Sequence, residues 1–190
     1  MVDPVLKKKR RLRARFWASE SGVSALEFAL VAPFFLILLG GIGVGGQFLT
    51  STRHTAAIAS TIGNLATQVQ TLHDTDVADI FAVGQVLIAP MPTNSLGMRL
   101  TSIEAIGSAN SWTPKVQWSN ASGTMSPMTV NQVVTVPTGL LVNVGDSVVL
   151  AEATYTFTPP LTQGFGAAVP ITKSNYFKPR LSPTVVRASP

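Results

Sequence analysis

The chain has 190 residues, no cysteine, 14 Lys/Arg against 9 Asp/Glu, and 46% hydrophobic residues. Without cysteine there is no disulfide framework, thiol nucleophile or thiolate metal site. The net charge of +5 and the pI of about 10.0 raise a nucleic-acid reading, but the charge is local. Seven Lys/Arg against Asp3 and Glu20 give residues 1–22 the whole +5, and beyond Gly22 seven basic residues balance seven acidic ones.

The head carries Lys7-Lys8-Lys9-Arg10-Arg11, then Arg13 and Arg15. A basic arm that binds nucleic acid would adjoin a polar, basic domain. Here an apolar span follows directly, so no nucleic-acid partner is expected. Residues 28–52 hold no charge, and 28–46 read FALVAPFFLILLGGIGVGG. About 20 apolar residues suffice to cross a bilayer as a helix, and a buried core helix of this length would show a polar face. The positive flank places the N-terminus on the cytoplasmic side and the rest across the inner membrane.

The junction reads Gly22-Val23-Ser24-Ala25-Leu26-Glu27-Phe28. A charge at the centre of a spanning helix costs roughly 2.5–3.5 kcal/mol, less near its edge, so Glu27 is a functional candidate by default. An ordinary signal peptide is the competing reading. Its apolar region would run about 7–15 residues to an A-x-A-like site. Val44-Gly45-Gly46 is a poor one, and the new N-terminus would fall near Gln47. An anchor that is never cut is a third reading. Pro33 removes one helix donor and favours a kink. Gly41-x-x-x-Gly45 has the spacing that lets helices approach closely.

Beyond the span, Ile58, Ile62, Leu65, Val69 and Leu72 follow 4-3-4-3 spacing, and the stripe extends backwards through Thr55, Ser51 and Phe48. This predicts an amphipathic helix continuous with the span. Asp74 or Thr75 is expected to cap a second helix with apolar positions at Val77, Ile80, Phe81, Gly84, Leu87 and Ile88. Asp76 and Asp79 would complement its dipole, and Pro90 and Pro92 would end it. From about Thr93, strands are expected at 99–106, 114–119, 129–136, 147–158 and 173–179. Val144-Gly145-Asp146 and Pro137-Thr138-Gly139 mark turns. The expected fold is α+β: a transmembrane helix running on into a periplasmic amphipathic helix, a short second helix, then an antiparallel sheet. The expected division is a leader at 1–22, a transmembrane and assembly helix at 23–52, a helical region at 53–92 and a β-rich domain at 93–190.

No catalytic constellation stands out. His54 and His73 are the two histidines, and the serines lack a G-x-S-x-G elbow. His73-Asp74-x-Asp76-x-x-Asp79 could hold a hard cation in principle, but lacks the glycine turn and terminal glutamate of an EF-hand loop. A helix-entry charge cluster accounts for it better. No cofactor, metal or small-molecule substrate is expected, and the chain does not read as an enzyme. Asn120-Ala121-Ser122 is a sequon of the kind that arises by chance.

Gly22-x-x-x-x-Glu27-Phe28, the arginine-rich head, Val31-x-Pro33 and the apolar run resemble the TadE/TadG family of minor pilins, or pseudopilins, of the tight-adherence (Tad/Flp) type IVb pilus. Arg53, Ala56 and Ala57 fit that family, as does the late segment from Ala153 to Pro159. The resemblance is specific over roughly residues 10–60 and loose beyond. It departs at Phe28, where the major pilins usually carry tyrosine. It implies cleavage after Gly22 by a prepilin peptidase, often followed by N-methylation of Val23. Glu27 would pair with the free amine of a neighbouring subunit. The partners implied are that peptidase, other pilins and the Tad assembly platform, in a pilus that supports adhesion.

Overall fold

The structure, a computed structural model, describes residues 20–109, 111–159 and 167–188, with side chains from Val23 onward. The basic residues at 7–15 lie outside the described residues. In chain order the elements are α1 (Glu20–Ala66), β1 (Thr71–Leu72), α2 (Asp74–Leu87), a 3-10 turn (Thr93–Ser95), β2 (Leu96–Ser108), β3 (Ser111–Gly123), β4 (Ser147–Phe157), β5 (Val169–Phe177) and β6 (Val186–Arg187). A long apolar helix, a short second helix and an antiparallel sheet make the expected α+β arrangement. The chain divides into two units, Met1–Gly46 and Gln47–Pro190. The described part of the first is the leading part of α1.

In the second unit, α1 buries Ser51, Thr55, Ile58, Ala59, Ile62 and Ala66. The stripe read from the sequence is therefore the packed face. Its hydroxyls can be buried because each bonds back up the helix: Ser51 Oγ donates to Gln47 O at 2.9 Å and Thr55 Oγ1 to Ser51 O at 2.8 Å. Gly63 brings this face closest to the sheet, since a Cβ there would lie 2.7 Å from Ala151 Cβ and 2.3 Å from the Phe177 ring. Phe48 meets Phe157 edge-on with ring centroids 5.7 Å apart.

The helix stops before the end of that stripe. It ends at Ala66, so Val69 lies beyond it and Leu72 belongs to β1. The stop is made by the C-terminal segment. Arg180 donates its backbone N–H to Thr67 O at 3.2 Å and Nη2 to Asn64 Oδ1 at 2.9 Å, placing a cation at the negative end of the helix. The cap of α2 also differs from expectation. His73, not Asp74 or Thr75, is the N-cap, because Asp76 Oδ2 accepts its N–H at 2.8 Å and so closes the first turn. Val77, Ile80, Phe81 and Gly84 are buried as expected.

The four-stranded sheet has the order β3-β2-β4-β5, every pair antiparallel, and β1 pairs with β6 in parallel. One face carries α1 and α2, with Met98 under Gly84. The other holds Ile103, Ala105, Val148 and Leu150, covered by Leu141 and by Met128, Val134, Val136 and Leu140. These covering residues include most of the strand expected at 129–136. That segment is not a strand: it keeps a single bridge, Lys115 with Val133. Asn131 at φ 66° turns the backbone out of the extended region, and the covering side chains fold over the sheet rather than extend it. Arg99 and Glu152 face each other across β2 and β4, Nη2 to Oε2 at 2.6 Å.

Candidate functional site

The feature that sets this molecule apart from an ordinary small domain is the leading part of α1. A protein of this size hides most of its large apolar side chains, and single exposed ones are unremarkable. Here Val23, Leu26, Phe28, Leu30, Phe34, Phe35, Leu36 and Ile37 are all exposed in succession, with Phe28 at 74% and Ile37 at 73%. The window of highest hydropathy in α1 has a mean of 2.3, enough to cross a membrane by length and composition. An exposed apolar face of this extent marks a surface that meets lipid or another chain.

The cleavage, assembly, kink and packing candidates read from the sequence all fall on this one helix. Gly22 lies in its helical backbone. Val23 is at 58% exposure, and Glu27 is exposed one turn on. Among the described residues no hydrogen bond or ion pair engages the Glu27 carboxylate. The helix continues through Pro33. At Gly41 and Gly45 nothing lies within 4 Å of where a Cβ would stand, so both present bare backbone. The structure thus sets the cleavage candidates Gly22 and Val23, the assembly candidates Glu27 and Phe28, and the packing candidates Gly41 and Gly45 on one rod.

The other polar clusters have structural duties. His54 shares a hydrogen bond between Nδ1 and Leu87 O at 2.7 Å, tying α1 to the end of α2. In the His73–Asp79 run, Asp76 closes the cap, while Asp74 pairs with Arg187. Arg187 also donates Nε to Asn120 Oδ1 at 3.0 Å and Nη1 to Leu72 O at 2.9 Å, locking β6 onto β1, α2 and β3 together. Sequence reasoning missed this hub, since Arg187 lies 67 residues from Asn120, 113 from Asp74 and 115 from Leu72. It also missed the role of Asp146. Its Oδ2 accepts the N–H groups of Val142 at 2.8 Å and Asn143 at 2.9 Å. These bonds, the one from Asn143 first, hold its carboxyl below the ordinary carboxylate pKa, with Lys178 adding to them. The signal was the Gly145-Asp146 turn, read as a turn without its carboxylate. Burial raises the hydroxyl pKa of Tyr155 and Tyr176. Among the described residues no group of three His, Cys, Asp or Glu is placed to hold a metal.

Comparison with known proteins adds one finding. Residues 22–61 match the family model described as TadE-like protein. The match opens on Gly22 and closes on the packed face of α1, the stretch that holds Gly22, Val23, Glu27, Phe28, Pro33, Gly41 and Gly45. No curated protein and no solved structure matches the chain. An exposed apolar helix that carries Glu27, together with this match over residues 22–61, makes the chain similar to the TadE-like proteins of Tad pilus systems over that stretch.

Proposed function

We propose that the chain is a minor pilin or pseudopilin, a structural subunit rather than an enzyme, cut after Gly22 by a prepilin peptidase on the cytoplasmic side of the inner membrane. The observation that carries this reading is the family match beginning at Gly22, on a helix whose apolar side chains are exposed. Cleavage removes residues 1–22 and with them the basic head. Val23 becomes the N-terminus and a candidate for N-methylation, and Glu27 becomes the fifth residue of the mature chain.

The chemistry follows from the bilayer. A carboxylate in a spanning helix needs a partner, and the new α-amino group of an adjacent subunit is the nearest in kind. At about 4 Å such a pair gains ~4 kcal/mol at an effective dielectric near 20, offset in part by desolvation. It sets the stagger between neighbours, while Phe28 and the bare Gly41 and Gly45 shape their contact. Pro33 supplies a bend where packing asks for one. Residues 23–52 then form the membrane and assembly helix, 53–92 the helical region and 93–190 the β-rich part, both on the periplasmic side, where they meet other pilins or the assembly platform in a pilus that supports adhesion.

Gly22→Leu tests the cleavage step. Co-expressed with the peptidase, this variant should keep its full mass while the parent loses residues 1–22. Equal processing of both would sink the leader reading.

A further inference from the structure

The β3 side of the sheet ends in a step, and the step is complementary to itself. Ala105 of β2 exchanges backbone hydrogen bonds with Gly145 and Asp146, on the β4 side. By alternation, Ser102, Leu100 and Met98 turn their backbone groups towards β3, and Leu96 O accepting from Thr124 N–H fits the same phase. Their partners Trp118, Asn120 and Ser122 are therefore paired inward, and the N–H and C=O of Ser119 and Ala121 point away from the sheet. Among the described residues nothing bonds these outward groups.

The other half of the same edge is covered. Val116 N–H donates to Gln132 O at 3.0 Å, Asn131 N–H to Val116 O at 2.8 Å and Val134 N–H to Pro114 O at 3.1 Å. Residues 131–134 thus protrude as an outer ribbon beside 114–116, and the edge at 119–121 is a recess. Val133 opposes Lys115 in this ribbon. The bonds on either side of that pair leave its own N–H and C=O facing outward, with its side chain 61% exposed. Beside the recess lies a cavity of about 430 Å³ lined by Ala78, Phe81 and Ala82 of α2 and Asn120 and Ser122 of β3.

We propose that the recess receives residues 131–134 of a second copy of this chain, and that the second copy's recess receives the same residues of the first. A two-fold axis normal to the sheet reverses β3, so each protrusion faces the other's recess and the contact closes on itself. The faces agree. Val133 lies on the side of Lys115 and Glu104, which alternation from Met98 identifies as the helix face. The axis keeps both helix faces on the same side, so Val133 of the second copy enters the cavity beside Ala78 and Ala82. The electrostatics agree as well. Residues 116–145 contain no charged side chain, and the charged groups lining the cavity, Asp74 and Arg187, neutralise each other. Outward edge groups and an exposed valine are a liability in an isolated chain, and this pairing satisfies both. The inference concerns the second unit alone and stands whether or not Gly22 is cut.

The test uses the full chain in detergent, with sedimentation equilibrium and thermal melting. Val133→Glu places a carboxylate in the cavity beside Ala78 and Ala82, near Asp74, from a position exposed in the single chain. Ala121→Pro removes only an outward N–H, a substitution that edge strands tolerate. Both should keep the parental melting temperature and weaken the dimer by at least about tenfold. Because the chain has no cysteine, Ser122→Cys in one tagged copy and Val133→Cys in another should be joined by a short bifunctional thiol reagent, whereas Ser122→Cys with Thr138→Cys should not. A chain that stays monomeric overturns the proposal. So does a dimer that Val133→Glu leaves at parental affinity, or crosslinking that is absent or equal in the two cysteine pairs. Should Ala121→Pro fail to fold, Val133→Glu and the crosslink decide.

Discussion

Gly63→Val sets two opposing effects against each other where α1 lies closest to the sheet. Glycine inside a helix costs about 0.8–1.0 kcal/mol relative to alanine, and valine recovers only part of that. On an exposed face the substitution would be slightly stabilising. In this fold the added Cβ would stand 2.3 and 2.4 Å from two ring carbons of Phe177 and 2.7 Å from Ala151 Cβ. The ring edge can swing away, but the alanine methyl is fixed to β4, so the helix must lift or the sheet must yield. Overpacking of this kind costs about 1–3 kcal/mol, and two further methyl groups put valine at the upper end. Set against the small propensity gain, a net loss of about 2–3 kcal/mol is expected. At about 2–4 °C per kcal/mol for a chain of this size, the melting temperature should fall by roughly 5–10 °C. Circular dichroism melts of the full chain in detergent read this directly. Phe177→Leu in the same chain should restore part of the loss by vacating the ring's space. Gly45→Val, with nothing within 4 Å of its Cβ, should leave the transition of the packed unit unchanged. A Gly63→Val chain that melts at or above the parental temperature would refute the close approach of α1 to Ala151.

Three further outcomes follow from the same structure. Trp118→Phe should lower stability by about 1–3 kcal/mol, the range for a buried acceptor left unpaired, because Trp118 Nε1 is the donor to Val185 O at 2.7 Å; an unchanged melt would show that this bond does not hold the C-terminal segment. Asp146 has a depressed folded pKa, so its contribution is complete above the ordinary carboxylate value near 4 and is lost as pH falls through the folded value. Asp146→Asn should accordingly flatten the acid limb of the stability–pH curve, and an acid limb as steep as the parent's would place the dependence elsewhere. Glu27→Gln should still insert and still be cut after Gly22, yet fail to co-purify with other pilus subunits and support few or no fibres; assembly at parental level would remove the role given to this carboxylate.

The α+β plan was legible because local chemistry dictates it. The uncharged run after Phe28, the stripe through Ser51, Thr55, Ile58 and Ile62, and the alternation in the C-terminal half of 147–158 each depend on neighbours within a few residues. What escaped depends on residues far apart. Arg180 ends α1 by bonding Thr67 and Asn64, and nothing near Ala66 in the sequence announces it, so the stripe was read on to Leu72. β1 and β6 are two residues each, too short for any period to register. The segment at 129–136 has the composition of a strand but meets Asn131 in the left-handed region and an uncovered apolar sheet face, which its side chains fold over. The candidate site was legible to a greater degree, because Glu27, the one charge between Glu20 and Arg53, is a local anomaly. Which surface that helix meets is set by other molecules, and no single chain encodes it.

The most direct measurement is the N-terminus of the protein recovered from cells that carry the prepilin peptidase, read by sequencing or by intact mass. A chain beginning at Val23, with or without one methyl group, is the expected result. A chain beginning near Gln47 would make residues 1–46 an ordinary signal sequence and remove Glu27 from the mature protein, and a full-length chain would make α1 a permanent anchor; either would contradict the pilin reading.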